Sequence, residues 1–182
     1  MKKPKLLTIC GALREGSFNR MLLREAVRAF GPAEVCEADL RLPLYDGDLE
    51  AAEGVPEAVH ALVGQISAAD AVIIASPEYN KGITGVLKNA LDWISRVPGG
   101  ALAGKPVVTM SANAGRTGGE SGQFMLIACL VPLGADIMPG PMLCVAAAGE
   151  AFDTEGRLSS AQYQKVLRAK MEALRTRIAA TG

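Results

Sequence analysis

Along this chain, apolar runs of strand length alternate with segments whose apolar residues recur at helical spacing. LLTIC (6–10) is a short strand-like run ended by Gly11, and FNRMLLREAVRAF (18–30) repeats Met21, Leu22, Glu25/Ala26 and Ala29 before the Gly31-Pro32 stop. AEVCEADL (33–40) predicts a short strand, and PLYDGDLEAAEGVP (43–56) a polar loop. PEAVHALVGQIS (56–67) predicts a helix with Pro56 in its first turn. DAVIIAS (70–76) and KPVVTMS (105–111) are continuous apolar runs, as in strands covered on both faces. Between them, GVLKNALDWISRV (85–97) predicts a helix with Leu87, Ala90, Leu91 and Ile94 inward. GGESGQFMLIACLVPLG (118–134) predicts another helix. ADIMPGPMLCVAAA (135–148) predicts a last strand with a proline-broken start. The segment 159–182 predicts a final amphipathic helix, capped by Ser159 or Ser160 and basic in its last turn. Strand then helix, repeated without linker or internal repeat, predicts one α/β domain over residues 1–182. Its architecture is a doubly wound five-stranded parallel sheet, order 2-1-3-4-5, with helices on both faces. An eight-fold barrel needs roughly 250 residues.

In such a sheet, ligands bind beyond the carboxyl ends of the strands where the strand order reverses, between the first and third strands. The loops after strands one, three and four converge there: GALREGSFN, SPEYNKGITG and SANAGRTGG. The first runs into a helix whose free amides and dipole favour an anion. Gly11 and Gly16 allow a close turn, Ser17 and Asn19 offer side-chain donors, and Arg14 adds a charge. It matches neither GxGxxG nor GxxxxGK[ST], so the reading is a mononucleotide phosphate cradle. Ser and Asn are also ordinary N-caps, and residue type does not separate the roles; the position after strand one favours phosphate. The second loop sets Tyr79 at the mouth of the sheet, with Pro77, Glu78 and Asn80 shaping the turn beside it. A flat flavin ring needs such an apolar wall, although Tyr79 packed in the core is the other reading. The third loop is rich in small residues, with Gly115, Gly118 and Gly119 allowing close main-chain approach. Arg116 there contacts a substrate phosphate or is simply solvated.

Composition removes several alternatives. With 19 Lys plus Arg against 19 Asp plus Glu, the formal net charge is zero, which argues against a nucleic-acid partner. No apolar run approaches the roughly 20 residues of a membrane span, and the start lacks a secretory apolar stretch, so a cytoplasmic protein is expected. Cys10, Cys36, Cys129 and Cys144 form no CxxC and read as small buried hydrophobes. His60 is the single histidine, expected on a solvated helix flank. This leaves no metal site and no histidine-dependent hydrolase. Trp93 is expected to pack at a helix or subunit contact.

With these loops in place, the chain resembles the NADPH-dependent FMN reductases, among the flavodoxin-like flavoproteins, over almost its whole length. The resemblance rests on GALREGSFNRMLL, the acidic LPLYDGDLE, PEYN followed by GVLKNALDW, and the GKPV strand, in family order. It is similar above all to the quinone- and chromate-reducing branch. The resemblance implies a bound FMN, with Arg14, Ser17 and Asn19 against its phosphate and Gly16 and Phe18 also among the cofactor-binding residues. Pro77, Glu78, Tyr79 and Asn80 would meet its ring, and the backbone from Ser111 and Ala112 to Gly115 would close the site. It also implies a homodimer or homotetramer, with LPLYDGDLE helping to line the partner's site. Ala12 stands where Ser is common, Thr84 replaces a frequent proline, and Asn113-Ala114 replaces a frequent Ser-Pro.

The resulting expectation is an NAD(P)H oxidoreductase. Hydride passes from NADPH or NADH to bound FMN and then to a small-molecule acceptor such as a quinone, free flavin or metal oxyanion, by a ping-pong scheme. No side chain is assigned as catalytic, because the cofactor carries the chemistry. The alternatives are a flavodoxin-like electron carrier, against which the zero net charge argues, and a non-flavin interaction domain on the same fold.

Overall fold

The computed structural model describes residues 3–181; Met1, Lys2 and Gly182, the ends of the expected span, lie outside the described residues. The strands are β1 (Lys5–Cys10), β2 (Glu34–Glu37), β3 (Ala71–Ala75), β4 (Pro106–Ala112), β5 (Asp136–Ile137) and β6 (Leu143–Val145). The helices are α1 (Phe18–Phe30), α2 (Gly47–Glu53), α3 (Glu57–Ala68), α4 (Gly85–Arg96), α5 (Glu120–Leu130), α6 (Ala148–Ala151) and α7 (Ala161–Thr181). All ladders are parallel, in the order β2-β1-β3-β4-β5, with β6 also on β4. The expected order 2-1-3-4-5 therefore holds, but the fifth strand is in two pieces. β5 pairs with Pro106 and Val107, and β6 with Met110 to Ala112. Pro139 and Pro141 lie between the pieces, and a proline has no N–H to give a ladder.

The two cores follow from period-two alternation along the strands. Ala71, Ile73 and Ala75 face α1 and α7 together with Leu22, Phe30, Leu167 and Met171. Val72 and Ile74 face the other way, among residues of α3, α4 and α5 such as Ile66, Leu87 and Leu126. The expected α4 stripe of Leu87, Ala90, Leu91 and Ile94 is buried throughout.

Four local expectations need correction. The polar loop 43–56 contains α2, which buries no residue. It is held by its cap, Asp46 accepting from the Asp48 N–H at 2.9 Å, and by Asp48 and Glu50 in its first turn, so it shows no hydrophobic period. β2 is shorter than 33–40, lies at the sheet edge and is exposed along its length, which leaves Cys36 exposed rather than buried. Pro56 is the cap before α3 rather than part of its first turn. Ser160 precedes α7 as expected, but the last turn of that helix carries no basic residue.

Lys170 is an anomaly on the inner stripe of α7, between Leu167 and Leu174 and only 7% exposed. Among the described residues it has no hydrogen-bond or ion-pair partner, and burial lowers its pKa, opposed by the Cys144 charge. A lowered folded value means that the unfolded chain binds the proton more tightly, so stability rises with pH up to the usual lysine range. Lys170→Met is expected to raise stability at pH 7 by on the order of 1 kcal/mol, with the gain shrinking as pH approaches 10. Urea titrations of both proteins at several pH values check this.

Candidate active site

The carboxyl ends of β1, β3 and β4 bring the three singled-out loops around one cleft of about 190 Å³. A larger open groove of about 760 Å³ beside α7 is lined by residues such as Met138, Ala169 and Ala173, and Arg177 there is already paired with Asp136, so it offers no comparable set of convergent donors. Of the residues expected at the site, Arg14, Ser17, Phe18, Asn19, Pro77, Tyr79 and Ala112 line the cleft. Gly16, Glu78, Asn80, Ser111 and Gly115 belong to the same loops but do not line it. Asn113 and Ala114, within the backbone stretch expected to close the site, line it, as does Ala12, noted in the sequence as a departure from a pattern.

The first loop leaves β1 at Gly11, whose N–H bonds to the Ala75 carbonyl at 2.8 Å. A Cβ at Gly11 would lie 2.4 Å from Ser76 Oγ, so close contact with the β3 loop requires glycine there. Gly16 has no such constraint; its nearest neighbour would be an Arg14 nitrogen at 3.5 Å. Ser17 is the N-cap of α1 and accepts from the Asn19 N–H at 3.2 Å. The main-chain N–H groups of Leu13, Arg14, Glu15, Gly16, Ser17 and Phe18 donate to no group among the described residues. Unpaired amides at a helix start are the donors an anion uses. Arg14 supplies the charge in front of them, its guanidinium 5.6 Å from the Phe18 ring centre, and Phe18 stacks on Phe152 at 6.0 Å.

Asn19 has a different task from the one its type suggests. Its Nδ2 donates to the Ala112 carbonyl at 2.8 Å and its Oδ1 accepts from the Ala112 N–H at 2.9 Å, so the buried amide ties α1 to the end of β4.

The second loop closes as a two-residue hairpin, Tyr79 and Gly82 exchanging N–H to carbonyl bonds at 3.0 Å. Asn80 and Lys81 at its tip have φ of 50° and 68°, the left-handed pair that a tight hairpin demands, in residues other than glycine. Tyr79 is held out, 55% exposed, at the cleft wall rather than in the core. The Glu78 side chain turns away from the cleft. It accepts from the Gly122 N–H in the first turn of α5 at 3.0 Å and lies 3.6 Å from Lys81 Nζ.

The third loop is tied to the second by Asn113, whose Oδ1 accepts from the Glu78 N–H at 3.0 Å and whose Nδ2 donates to the Gly118 carbonyl at 3.3 Å. A Cβ on Gly119, at φ +96°, would lie 2.2 Å from that Nδ2, so Asn113 and Gly119 require each other. Ser111 is buried behind the loop. Its hydroxyl donates to the Gly118 carbonyl at 2.6 Å and accepts from Gln123 Nε2 at 3.2 Å. Gln123 in turn accepts from Thr109 and donates to the Leu143 carbonyl. No local pattern marks Gln123, because it sits in an apolar helix. Cys144 adjoins this network, and burial pushes its thiol pKa up, so it is not a ready thiolate. Arg116 is exposed at the loop's tip.

Trp93 is fully buried in α4. With Asn89 it donates to the Pro43 carbonyl at 2.8 and 2.9 Å, and it meets Tyr45 edge-on at 5.0 Å, pinning the 43–46 segment inside one chain.

The sequence profile of the family described as NADPH-dependent FMN reductase matches residues 4–150. An NAD(P)H-dependent FMN reductase of Pseudomonas aeruginosa is 41% identical over 172 residues, 93% of this chain and 92% of that one. A quinone reductase of Escherichia coli is 42% identical over 144 residues, 77% and 76% of the two chains. Among solved structures, the Paracoccus denitrificans flavoenzyme FerB, an NAD(P)H:(acceptor) oxidoreductase, superposes with a TM-score of 0.86 at 28% identity, covering 97% of this chain and 98% of its own. By its three loops, its strand order and these likenesses, the chain belongs to the NADPH-dependent FMN reductase family.

Proposed function

We propose that the chain works as one FMN-binding domain that oxidises NADPH or NADH and reduces a small-molecule acceptor, a quinone foremost. One observation carries this reading: Arg14, Ser17 and Phe18, whose main-chain N–H groups have no partner among the described residues, line the same cleft as a half-exposed tyrosine. The first element fits a phosphate and the second a flat ring, which together describe FMN. Named relatives act on quinones and FMN.

The residues have separable tasks in this reading. The amides of 13–18 and the Ser17 hydroxyl hold the phosphate, and Arg14 offsets its charge. Pro77 and Tyr79 wall the ring, while Ala112, Asn113 and Ala114 let the main chain come close to its edge. When bound, FMN supplies the two-electron chemistry that takes hydride from the nicotinamide and gives it to the acceptor. Among the described residues the cleft is lined by no carboxylate, histidine or lysine, so the protein's part is to hold, orient and exclude water. Protons needed by the reduced acceptor come from solvent.

We place this work in the cytoplasm, where NAD(P)H is supplied; among the described residues no helix is long and apolar enough to cross a membrane. A homodimer or homotetramer is part of the same proposal. Phe124 and Val131 on or next to α5 are 59% and 62% exposed, and Leu44 at the 43–46 segment is 80% exposed, apolar area that a second copy would cover.

Purified protein loaded with FMN is expected to lose its visible flavin absorption on anaerobic NADPH addition and to regain it when a quinone is added. Absorption that persists would mark an electron carrier. Ser17→Ala is expected to weaken FMN about tenfold while leaving riboflavin affinity unchanged, because only FMN carries a phosphate. Equal losses for both ligands, followed by fluorescence quenching, would remove Ser17 from the cradle. Phe124→Asp is expected to shift the assembly toward monomer in analytical ultracentrifugation; an unchanged sedimentation profile would place the subunit contact elsewhere.

A further inference from the structure

To hold a phosphate, the amides of the first loop must be turned toward the cleft. Seven residues between strand and helix have many ways to arrange their peptide planes, and carbonyls turned forward would repel a phosphate. A means of turning them lies behind the loop, in a second hollow of about 230 Å³ lined by Ala12, Leu13, Arg20, Glu37, Asp39 and Arg41 among others. Ala12 lines both this hollow and the cleft, so the loop is the wall between them.

Two guanidinium groups stand on the rear side. Arg20 Nη2 is 3.5 Å from the Ala12 carbonyl oxygen, and Arg41 Nη2 is 3.4 Å from that of Leu13. Each is held there by an acid at or just beyond the end of β2: Arg20 pairs with Glu37, and Arg41 with Asp39 at 3.1 Å. These are long contacts, so each acts as a fixed charge attracting a carbonyl dipole rather than as a strong hydrogen bond. In a trans peptide the C=O of one residue and the N–H of the next point opposite ways, and the described residues contain no cis bond. A carbonyl drawn rearward at Ala12 turns the Leu13 N–H forward, and one drawn rearward at Leu13 turns the Arg14 N–H forward.

Arg20 also has no local reason to be where it is. It lies in the first turn of α1, the positive end of the helix dipole, where a cation is unfavourable. Its Nε is buried without a partner, a second cost the chain tolerates. Both make sense if its position serves the loop in front of it.

We propose that Arg20 and Arg41 are positioning residues of the phosphate cradle. From the rear of the loop each draws back one carbonyl, of Ala12 and Leu13, and thereby presents the N–H groups of Leu13 and Arg14 to the ligand. Neither touches the phosphate, because its acid partner keeps it behind the wall. The inference rests on the reading that this loop holds the phosphate of FMN. Arg20, at 21% side-chain exposure, carries more of the effect than Arg41, at 61%, where solvent screens the charge.

The test is the ratio of dissociation constants for FMN and riboflavin, measured by fluorescence quenching on the full chain stripped of flavin. Arg20→Gln is expected to lower FMN affinity about tenfold or more with riboflavin affinity unchanged, and Arg20→Lys to restore part of the loss. Arg41→Gln changes an exposed side chain and leaves the fold intact; it is expected to show the same selective loss, several-fold smaller. Equal losses for the two ligands in the variants, or none, would overturn the clamp while the wild-type preference for FMN stands. A wild-type protein without that preference would overturn the phosphate reading and the clamp with it.

Discussion

The reciprocal pair between Asn19 and Ala112 is the constraint on which the rest of the site depends. β3 lies between β1 and β4, so no backbone ladder joins the loop after β1 to the loop after β4. The Asn19 amide spans that gap, donating to the Ala112 carbonyl and accepting from its N–H, as a neighbouring strand would. Only a side chain with a neutral donor and acceptor side by side can do both. Around this tie the ladder continues past the strand ends, with Gly11 bonding to Ala75 and Ser76 to Met110. The three loops thus leave the sheet already tied to one another.

The division of labour among polar residues follows from this. Asn19, Glu78, Ser111, Asn113 and Gln123 spend their hydrogen bonds on the scaffold: α1 to β4, the hairpin to the third loop and to α5, and that loop to β6. What remains for a ligand is the main-chain amides of the first loop, the Arg14 charge, the Ser17 hydroxyl and the Tyr79 face. Main-chain donors lose no side-chain entropy on binding, and buried side-chain networks hold them in place. The left-handed backbone at Asn80 and Lys81 fits the same logic: such positions cost of order 1 kcal/mol each and persist where the surroundings impose them. The cost goes into presenting Tyr79 at the cleft instead of letting it fold into the core.

The sequence made the succession of elements legible because β1, β3 and β4 are continuous apolar runs and helices such as α1 and α4 carry one apolar stripe. It also made legible which loops meet, because topology alone sends the ends of β1, β3 and β4 to one edge. It hid what depends on partners distant in the chain. α2 has no stripe, since it is held by Asp46 and by Glu50 pairing with Arg96, 46 positions away. The break between β5 and β6 was visible as Pro139 and Pro141, but not that both pieces would stay on β4. Residue type showed Asn19 and Glu78 as polar groups near a ligand. The directions of their side chains, toward Ala112 and Gly122, are a property of the fold and not of residue type. Ser111 turns the other way for the simplest reason: successive residues of β4 alternate faces, and Ser111 falls on the side of Gln123.

A cleft without a proton-donating acid imposes a chemical consequence. Oxidants that accept hydride and take protons from water need nothing from the wall except room to lie flat. In the proposed reading, discrimination among them falls to shape, with Tyr79 and the small residues Ala112 and Ala114 in the lining. Asn19 and Asn113, two of the polar side chains in that lining, are already bonded within the scaffold. Selectivity resting on an unpaired side-chain amide is therefore not supplied by those two residues, because the same hydrogen bonds hold the loops together. In the proposed reading, placement of the flavin and tolerance toward its acceptors are two results of one allocation of hydrogen bonds.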